Sequence, residues 1–507
     1  MSERKNVNTY TKKELSGYLV GMFGQNAIYN IVATGLYFYF QNVICLPAMA
    51  LGWIFAIARV WDAINDPMMG TIVDKTRTKW GKCRPYLIIF PAIIGVATII
   101  AFINGNYAEA SSTAQKVLIV TWAGVSYIVW GMVFTICDIP LWGVTSLMTE
   151  DQNDRSKILG LARIAAGIGG VATLIVQIAQ FTAGFIAEGE KATPAETQKG
   201  FIITVVVMTV ICSILFECAG LFTRERVESK AEKKYGFIEN FKIMFRNKPF
   251  RQILISGILR SPIQLLMLIA MTLITYYYTD NDIMNVFSDV SILLRLAIIG
   301  GGVFAGQFVV MAIIPMLTQK IEKKTLYNFF SIAGAVPFVL LYVLYKLSGG
   351  DIKTSLVMVI ITGICFLLAG GAMGGINVLQ SIMIADCVDY EEYHYGVRTD
   401  GVFFSGQSFI TKLSGGIASI ISAFVYHLVG YSDVNINIMN KAISNGADFM
   451  TYNNGKYAAT MFFLISIPPA IGMLLSAIPT AKYAMTDKEH TEILDSLIAR
   501  RAEARDE

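Results

Sequence analysis

Two carboxylates stand one helical turn apart in a stretch that is otherwise apolar. They are Asp62 and Asp66, with Asn65 between them, Arg59 just before and Pro67 just after. Residues at i and i+4 share a helix face, and the residue at i+3 joins them. Two like charges there repel unless something intervenes, and three chemistries would do so. A bound hard cation would gather the oxygens. A shared proton would remove one charge. Pairing with a basic side chain such as Arg59 would need no ligand. Pro67 leaves the Ala63 carbonyl without its usual donor, so irregular backbone is expected at that point. A second constellation is Thr135, Asp138 and Trp142, with the acid and the aromatic again at i and i+4. A carboxylate accepts hydrogen bonds from sugar hydroxyls, and an aromatic ring covers the apolar face of a pyranose, although a lone tryptophan serves packing as readily. The Thr135 hydroxyl, one turn before Asp138, is placed to complete a cation shell. Isolated bases also fall in apolar runs: Arg163, Arg260, Arg295 and Lys412, the last near Gln407. Such bases neutralise carboxylates or bind substrate oxygens. Snorkelling to the surface is the alternative for the three arginines.

The elements that must position these groups are long and apolar. Of 507 residues, 54% are hydrophobic and 15% charged, against about a quarter charged in ordinary soluble domains. Apolar runs fall near 15–44, 49–73, 85–103, 117–144, 158–186 and 200–222, then 251–278, 290–317, 325–347, 354–385, 401–430 and 457–480. Each matches the roughly 20 residues that span a bilayer. The expected fold is an all-α polytopic membrane protein of about 12 transmembrane helices in two six-helix halves. The expected boundaries are an N-terminal half at 1–222, a connector at 223–250, a C-terminal half at 251–482 and a tail at 483–507. Lys and Arg concentrate in the even-numbered connections, for example Lys75, Arg77, Lys79, Lys82 and Arg84, which predicts that these connections and both termini are cytoplasmic. The basic connection after span eight, with Lys320, Lys323 and Lys324, faintly repeats the one after span two, as expected of transporters built from repeats.

Other classes find little support. The net charge of +4 does not argue for nucleic acid. Seven cysteines show no CxxC spacing, and His394, His427 and His490 lie far apart, which argues against a zinc site or a disulfide framework. The polar stretch 1–14 precedes a full-length span, so a cleaved signal peptide is not expected. No GxxxxGK[ST], H-E-x-x-H or G-x-S-x-G motif occurs. Neither an enzyme nor a cofactor is expected.

Three blocks together carry a resemblance. The first runs from Trp61 to Gly70 and extends through Thr76 to Lys82. The second runs from Tyr127 to Pro140, and the third from Val378 to Tyr390, in the connector expected after span ten. In this order they resemble the glycoside–pentoside–hexuronide:cation symporter family, melibiose permease-like members of the major facilitator superfamily. The resemblance covers nearly the whole chain and implies roles residue by residue. Asp62, Asn65, Asp66 and Thr135 match the family's cation site, with Na+ implied by the asparagine and Li+ or H+ as alternatives. Asp138, Trp142 and Arg163 match sugar-site positions. Lys412 matches a lysine that links the two halves. Two positions depart from the galactoside pattern: Asn26 replaces an acidic sugar ligand in span one, and Asn377 replaces an aromatic in span ten. An asparagine still offers donors and an acceptor to hydroxyls. A neutral glycoside is therefore expected ahead of a hexuronide, whose carboxylate would suit Arg163 and Lys412. The implied function is cation-coupled sugar uptake across the cell membrane by alternating access, in a monomer whose partners are sugar, cation and lipid. A hexuronide:cation symporter, or an uncoupled carrier or lysolipid transporter of the same fold, is the alternative.

Overall fold

The computed structural model describes residues 10–149, 152–188, 192–226, 237–278, 290–396 and 400–506. These residues form helices and no strand. They divide into two units, the first holding the chain through the sixth span together with Tyr426–Ala447, the second holding the remainder.

In the first unit, α1 (Lys12–Asn30) continues as π-helix through Ile31–Leu36 and again at Tyr39–Val43. Then come α2 (Ala48–Lys75), α3 (Arg84–Phe102), α4 (Thr113–Met148), α5 (Gln152–Gly169), a 3-10 turn at Gly170–Leu174, α6 (Ile175–Ile186) and α7 (Pro194–Phe222). Helix starts follow local chemistry. Thr11 with Glu14 and Thr193 with Glu196 form reciprocal capping boxes at α1 and α7, and Ser112 caps α4. Helices in lipid gain little from hydrophobic burial against one another and associate where small residues let backbones approach. Gly17, Gly21 and Gly24 form such a stripe on α1. A methyl at Gly17 or Gly21 would strike Phe222 or Ala219 of α7, and one at Gly24 would lie 2.6 Å from the Cys212 carbonyl.

The carboxylate of Glu225 closes one end of this unit. It accepts the backbone N–H groups of Lys82, Cys83 and Arg84 at 2.7, 2.7 and 3.0 Å, at the positive N-terminus of α3. Its neighbour Arg226 donates to both carboxylate oxygens of Glu14 at 2.8 and 2.9 Å. The stretch between spans eleven and twelve, expected as a plain connection, contains a helix at Asp433–Ser444 that belongs to this unit. Tyr431 Oη donates to Asn42 Oδ1 at 2.9 Å, and Asn440 Nδ2 donates to the Asn42 carbonyl at 2.8 Å.

In the second unit, α8 (Phe237–Arg246), α9 (Lys248–Leu259), a 3-10 turn at Ser261–Gln264, α10 (Leu265–Leu273) and a π-turn at Ile274–Tyr278 lead to α11 (Val290–Leu317). They are followed by α12 (Lys323–Ala333), α13 (Ala335–Leu347), α14 (Leu356–Tyr395), α15 (Asp400–Val429), and, beyond the Asp433–Ser444 helix (α16), α17 (Lys456–Leu464), α18 (Ile467–Ala481) and α19 (Asp487–Asp506). Glycines again set the closest approach: a methyl at Gly306 of α11 would strike the Leu367 carbonyl of α14, and one at Gly370 the Val303 carbonyl. The end closure recurs, with Asp487 Oδ2 accepting the Lys323 N–H at the start of α12 (3.1 Å).

Among the described residues ten stretches are long and apolar enough to cross a membrane, which makes this a multi-pass membrane protein. The two expected spans outside that set are α1 and α2, where Gln25, Asn26, Asn30, Arg59, Asp62 and Asp66 lower the apolar content. Two local expectations change. Helix α2 runs as a single helix past Pro67. The block from Val378 to Tyr390 lies on α14 rather than in a connector: with 40 residues, that helix is about 60 Å long at 1.5 Å per residue and outruns the roughly 30 Å hydrocarbon core.

Candidate functional site

The first unit gathers most of the predicted site on one face of α4. Gly131, Thr135, Asp138 and Trp142 recur at i, i+4, i+7 and i+11, a single helical stripe. Gly131 lets α2 come close, since a methyl there would lie 3.1 Å from Asp62 Oδ1. One turn on, Thr135 Oγ1 lies 3.2 Å from Asp66 Oδ1 and 3.0 Å from the Gly131 carbonyl and is placed to donate to either. Asp62, Asp66 and Thr135 are thus joined by the α2–α4 contact. Arg59 Nη1 lies 3.3 Å from Asp62 Oδ2, both side chains nearly buried, so the basic-partner reading of the sequence holds for one of the two acids. Among the described residues, Asn65 Nδ2 is buried without a hydrogen-bond partner. Turning that amide puts its carbonyl oxygen in the same place. The donor set here is two carboxylates, one amide and one hydroxyl, oxygen chemistry that suits a hard cation. Among the described residues there is no cluster of three or more His, Cys, Asp or Glu side chains able to hold a metal ion.

Asp138, on the next turn after Thr135, accepts a hydrogen bond from Gln25 Nε2 of α1 at 2.8 Å. Asn26 Nδ2 donates to Gln25 Oε1 at 2.6 Å, and to the Met22 carbonyl at 3.3 Å. The Arg163 guanidinium of α5 stacks over the Trp142 ring, 4.7 Å from its centroid, while the residue as a whole is exposed. Tyr18 Oη donates to the Leu141 carbonyl at 3.2 Å, beside the same turn of α4. Asn26 thus reaches Asp138 through Gln25, Arg163 meets Trp142 one turn further along α4, and Thr135 with Asp66 lies one turn before.

Gln25 was not singled out from the sequence. Its signal was weak: a second amide beside Asn26 in an apolar run, whose purpose depends on an acid 113 residues away.

The second unit, taken by itself, carries the other three predicted residues. Gln407 Nε2 donates to Ser381 Oγ at 2.7 Å, and Ser381 Oγ donates to the Asn377 carbonyl at 3.0 Å, so Gln407 and Asn377 are linked through one serine. Lys412 is half-buried on α15. Arg260 is buried, donating to Gln380 Oε1 at 2.6 Å and to Tyr327 Oη at 3.1 Å. The snorkelling reading of Arg260 is thereby replaced by a structural role. The Arg295 side chain lies outside the described residues.

Comparison with known proteins places the chain in a family. Residues 17–487 match the family described as MFS/sugar transport protein. The isoprimeverose transporter of Lactiplantibacillus pentosus is 26% identical over 420 residues, covering 82% of this chain and 80% of its own. The glucuronide carrier protein homolog of Escherichia coli K12 is 24% identical over 483 residues, covering 95% and 94%. Among solved structures, an inward-facing bacterial homolog of the human lysosomal transporter Spinster shares the fold, with a TM-score of 0.56 at 13% identity over 94% of this chain and 98% of that one. The charged groups collected on α2 and α4, the all-helical framework of long apolar spans and the family match lead to one conclusion: the chain belongs to the MFS/sugar transport protein family, as a membrane transporter and not an enzyme.

Proposed function

We propose that this protein is a symporter that uses inward Na+ flow to take up a neutral glycoside by alternating access. The observation that carries the reading is the polar stripe on α4, where the Thr135–Asp66 contact and the Asp138–Gln25 contact fall on successive turns of one face. Asp66 and Thr135 lie one turn from Asp138, which in turn holds Gln25 and Asn26. Cation binding between Asp62 and Asp66 would neutralise their charge and draw Asp62 from Arg59. The same event would fix Thr135, and with it the turn that presents Asp138 to a sugar. Each ligand then raises affinity for the other, which coupling requires. Trp142, braced by Arg163, offers its face to the ring, and Asn26 offers an amide to a hydroxyl. Asn377, Gln407 and Lys412 are retained as proposed substrate contacts from the second unit.

Support for a sugar substrate comes from the family and from relatives named as isoprimeverose and glucuronide carriers. A hexuronide remains the second reading on one specific observation. The guanidinium of Arg163 stacks on Trp142 with no carboxylate partner among the described residues, and a uronate would supply one. The test is sugar-induced thermal stabilisation of the purified protein, with and without Na+, across neutral glycosides, pentosides and uronates. The reading expects stabilisation by a neutral glycoside that grows with Na+. Stabilisation by uronates alone would transfer it to the hexuronide class, and Na+-independent stabilisation would remove the coupling.

A further inference from the structure

Past Asn26, α1 carries one more polar residue on the same face. Asn30 is four residues on, about 6 Å along the axis at 1.5 Å per residue. Its Nδ2 donates to the Asn26 carbonyl at 2.8 Å, and its Oδ1 accepts from Thr173 Oγ1 at 3.1 Å. These bonds use one of the two amide hydrogens of Asn30 and one lone pair of its oxygen. The Thr173 oxygen keeps its acceptor capacity. Asn26 spends its amide hydrogens on Met22 and Gln25, so its own Oδ1 is left as an acceptor among the described residues. From Asp138 along α1, the available groups are thus a carboxylate, an amide oxygen, an amide N–H and a hydroxyl oxygen. Such alternation of acceptors and donors matches sugar hydroxyls, which do both.

Two independent features set this pair apart from an ordinary contact between membrane helices. The first is the backbone. Helix α1 passes into π-helix at Ile31, whose N–H is shared between the carbonyls of Ala27 and Ile28. The fifth span tightens to a 3-10 turn at Gly170–Leu174, where Thr173 sits. Non-α backbone inside a membrane is tolerated where it is buried in protein or lines a cavity, and π-turns concentrate at functional sites. Here two neighbouring spans depart from α geometry at residues that bond to each other. The second is close approach. A methyl at Gly169 would lie 2.6 Å from the Phe23 carbonyl and 3.1 Å from Asn26 Cβ. That contact holds the polar face of α1 against the span that carries both Arg163 and Thr173. Asn26, Asn30 and Thr173 are each only partly buried, and polar side chains in a span turn to the protein interior rather than to lipid.

We propose that Asn26, Asn30 and Thr173 form a second sugar subsite, one ring removed from the Asp138–Trp142 subsite, so that the substrate is a two-ring glycoside read at both rings. This deepens the function proposed above and rests on its assignment of Asp138 to sugar.

The test is uptake into proteoliposomes by the wild type, Asn30→Ala and Thr173→Val. The probes are isoprimeverose and lactose, each beside the methyl glycoside of its non-reducing sugar, methyl α-xyloside and methyl β-galactoside. The quantity read is the ratio of kcat/KM for the disaccharide to that for its methyl glycoside. The subsite predicts a wild-type ratio of at least about tenfold, falling at least about fivefold in either variant. A ratio that is unchanged in the variants, with both probes losing equally, would mean that Asn30 and Thr173 only clamp two helices. A wild type that prefers the methyl glycoside would also overturn the subsite. Should Asn30→Ala fail to fold, Thr173→Val, which keeps side-chain volume, decides alone. Uptake that persists in Asp138→Ala, or a wild type that takes none of the four probes, would remove the underlying reading, and the subsite with it.

Discussion

At the scale of single residues, the polar groups of the first unit have distinct jobs, and substitutions separate them. In the proposed mechanism Asp62 and Asp66 serve the cation. Asp62→Cys or Asp66→Cys is expected to abolish Na+ stimulation of uptake while some sugar binding survives; Na+ stimulation that persists unchanged in both variants would contradict this. In the same proposal Asp138 serves the sugar. Removing it deletes a charge-assisted hydrogen bond worth about 1.5–3 kcal/mol, so Asp138→Ala should raise the sugar Kd about tenfold to a hundredfold. Isothermal titration of the folded variant checks this, and wild-type affinity would refute the role. Asn26→Asp discriminates between substrate classes. A neutral glycoside should bind as well or better, because a hydroxyl gains a charged acceptor. A glucuronide should bind worse, since two unit charges about 4 Å apart repel by roughly 4 kcal/mol at an effective dielectric of 20, less whatever the bound cation offsets. Affinities for one sugar of each kind, in wild type and variant, give the sign. Most of these residues were legible because a charge in an apolar run calls for a reason. Gln25 and Arg260 were not. An amide in a span carries little signal until its partner is known, and Arg260 reads the same in sequence whether it snorkels or is buried against Tyr327 and Gln380.

At the scale of elements, hydropathy gave the spans, and close packing gave what hydropathy could not. The π-turns after Asn30 and the 3-10 turn at Gly170–Leu174 lie beside contacts such as Gly169 against Phe23, between residues far apart in the chain. Local sequence has no term for that. The proline rule erred in the other direction, since α2 passes Pro67 without a break. The capping of α3 by Glu225 was likewise hidden, because the carboxylate arrives from the segment after α7. It makes a prediction at this scale. Glu225→Ala leaves three N–H groups at the α3 N-terminus without their acceptor, at a cost of about 1–3 kcal/mol. The detergent-solubilised variant should show a lowered Tm, with Glu225→Gln intermediate because an amide oxygen still accepts. An unchanged Tm in Glu225→Ala would show that water replaces the carboxylate without penalty. The neighbouring Glu14 belongs to the same closure. Burial raises its carboxyl pKa, but its bonds to Arg226 and Thr11 outweigh that and hold it below the ordinary value. Its contribution to stability is therefore present above the unfolded pKa and is lost as pH falls through the folded one.

At the scale of the molecule, each unit ends its six spans with a carboxylate seated at the N-terminus of its third span, Glu225 at α3 and Asp487 at α12. Both contacts sit at the basic stretches that lead into α3 and α12. The whole-molecule claim is that two ligands share one transporter and help each other bind, and the measurement that reaches it most directly is glycoside uptake into proteoliposomes under imposed gradients. An inward Na+ gradient should drive accumulation of a neutral glycoside above its equilibrium level, collapse when Na+ is equalised across the membrane, and vanish in Asp66→Cys even though that variant still equilibrates sugar. Accumulation that ignores the Na+ gradient, or equilibration alone in the wild type, would contradict the account.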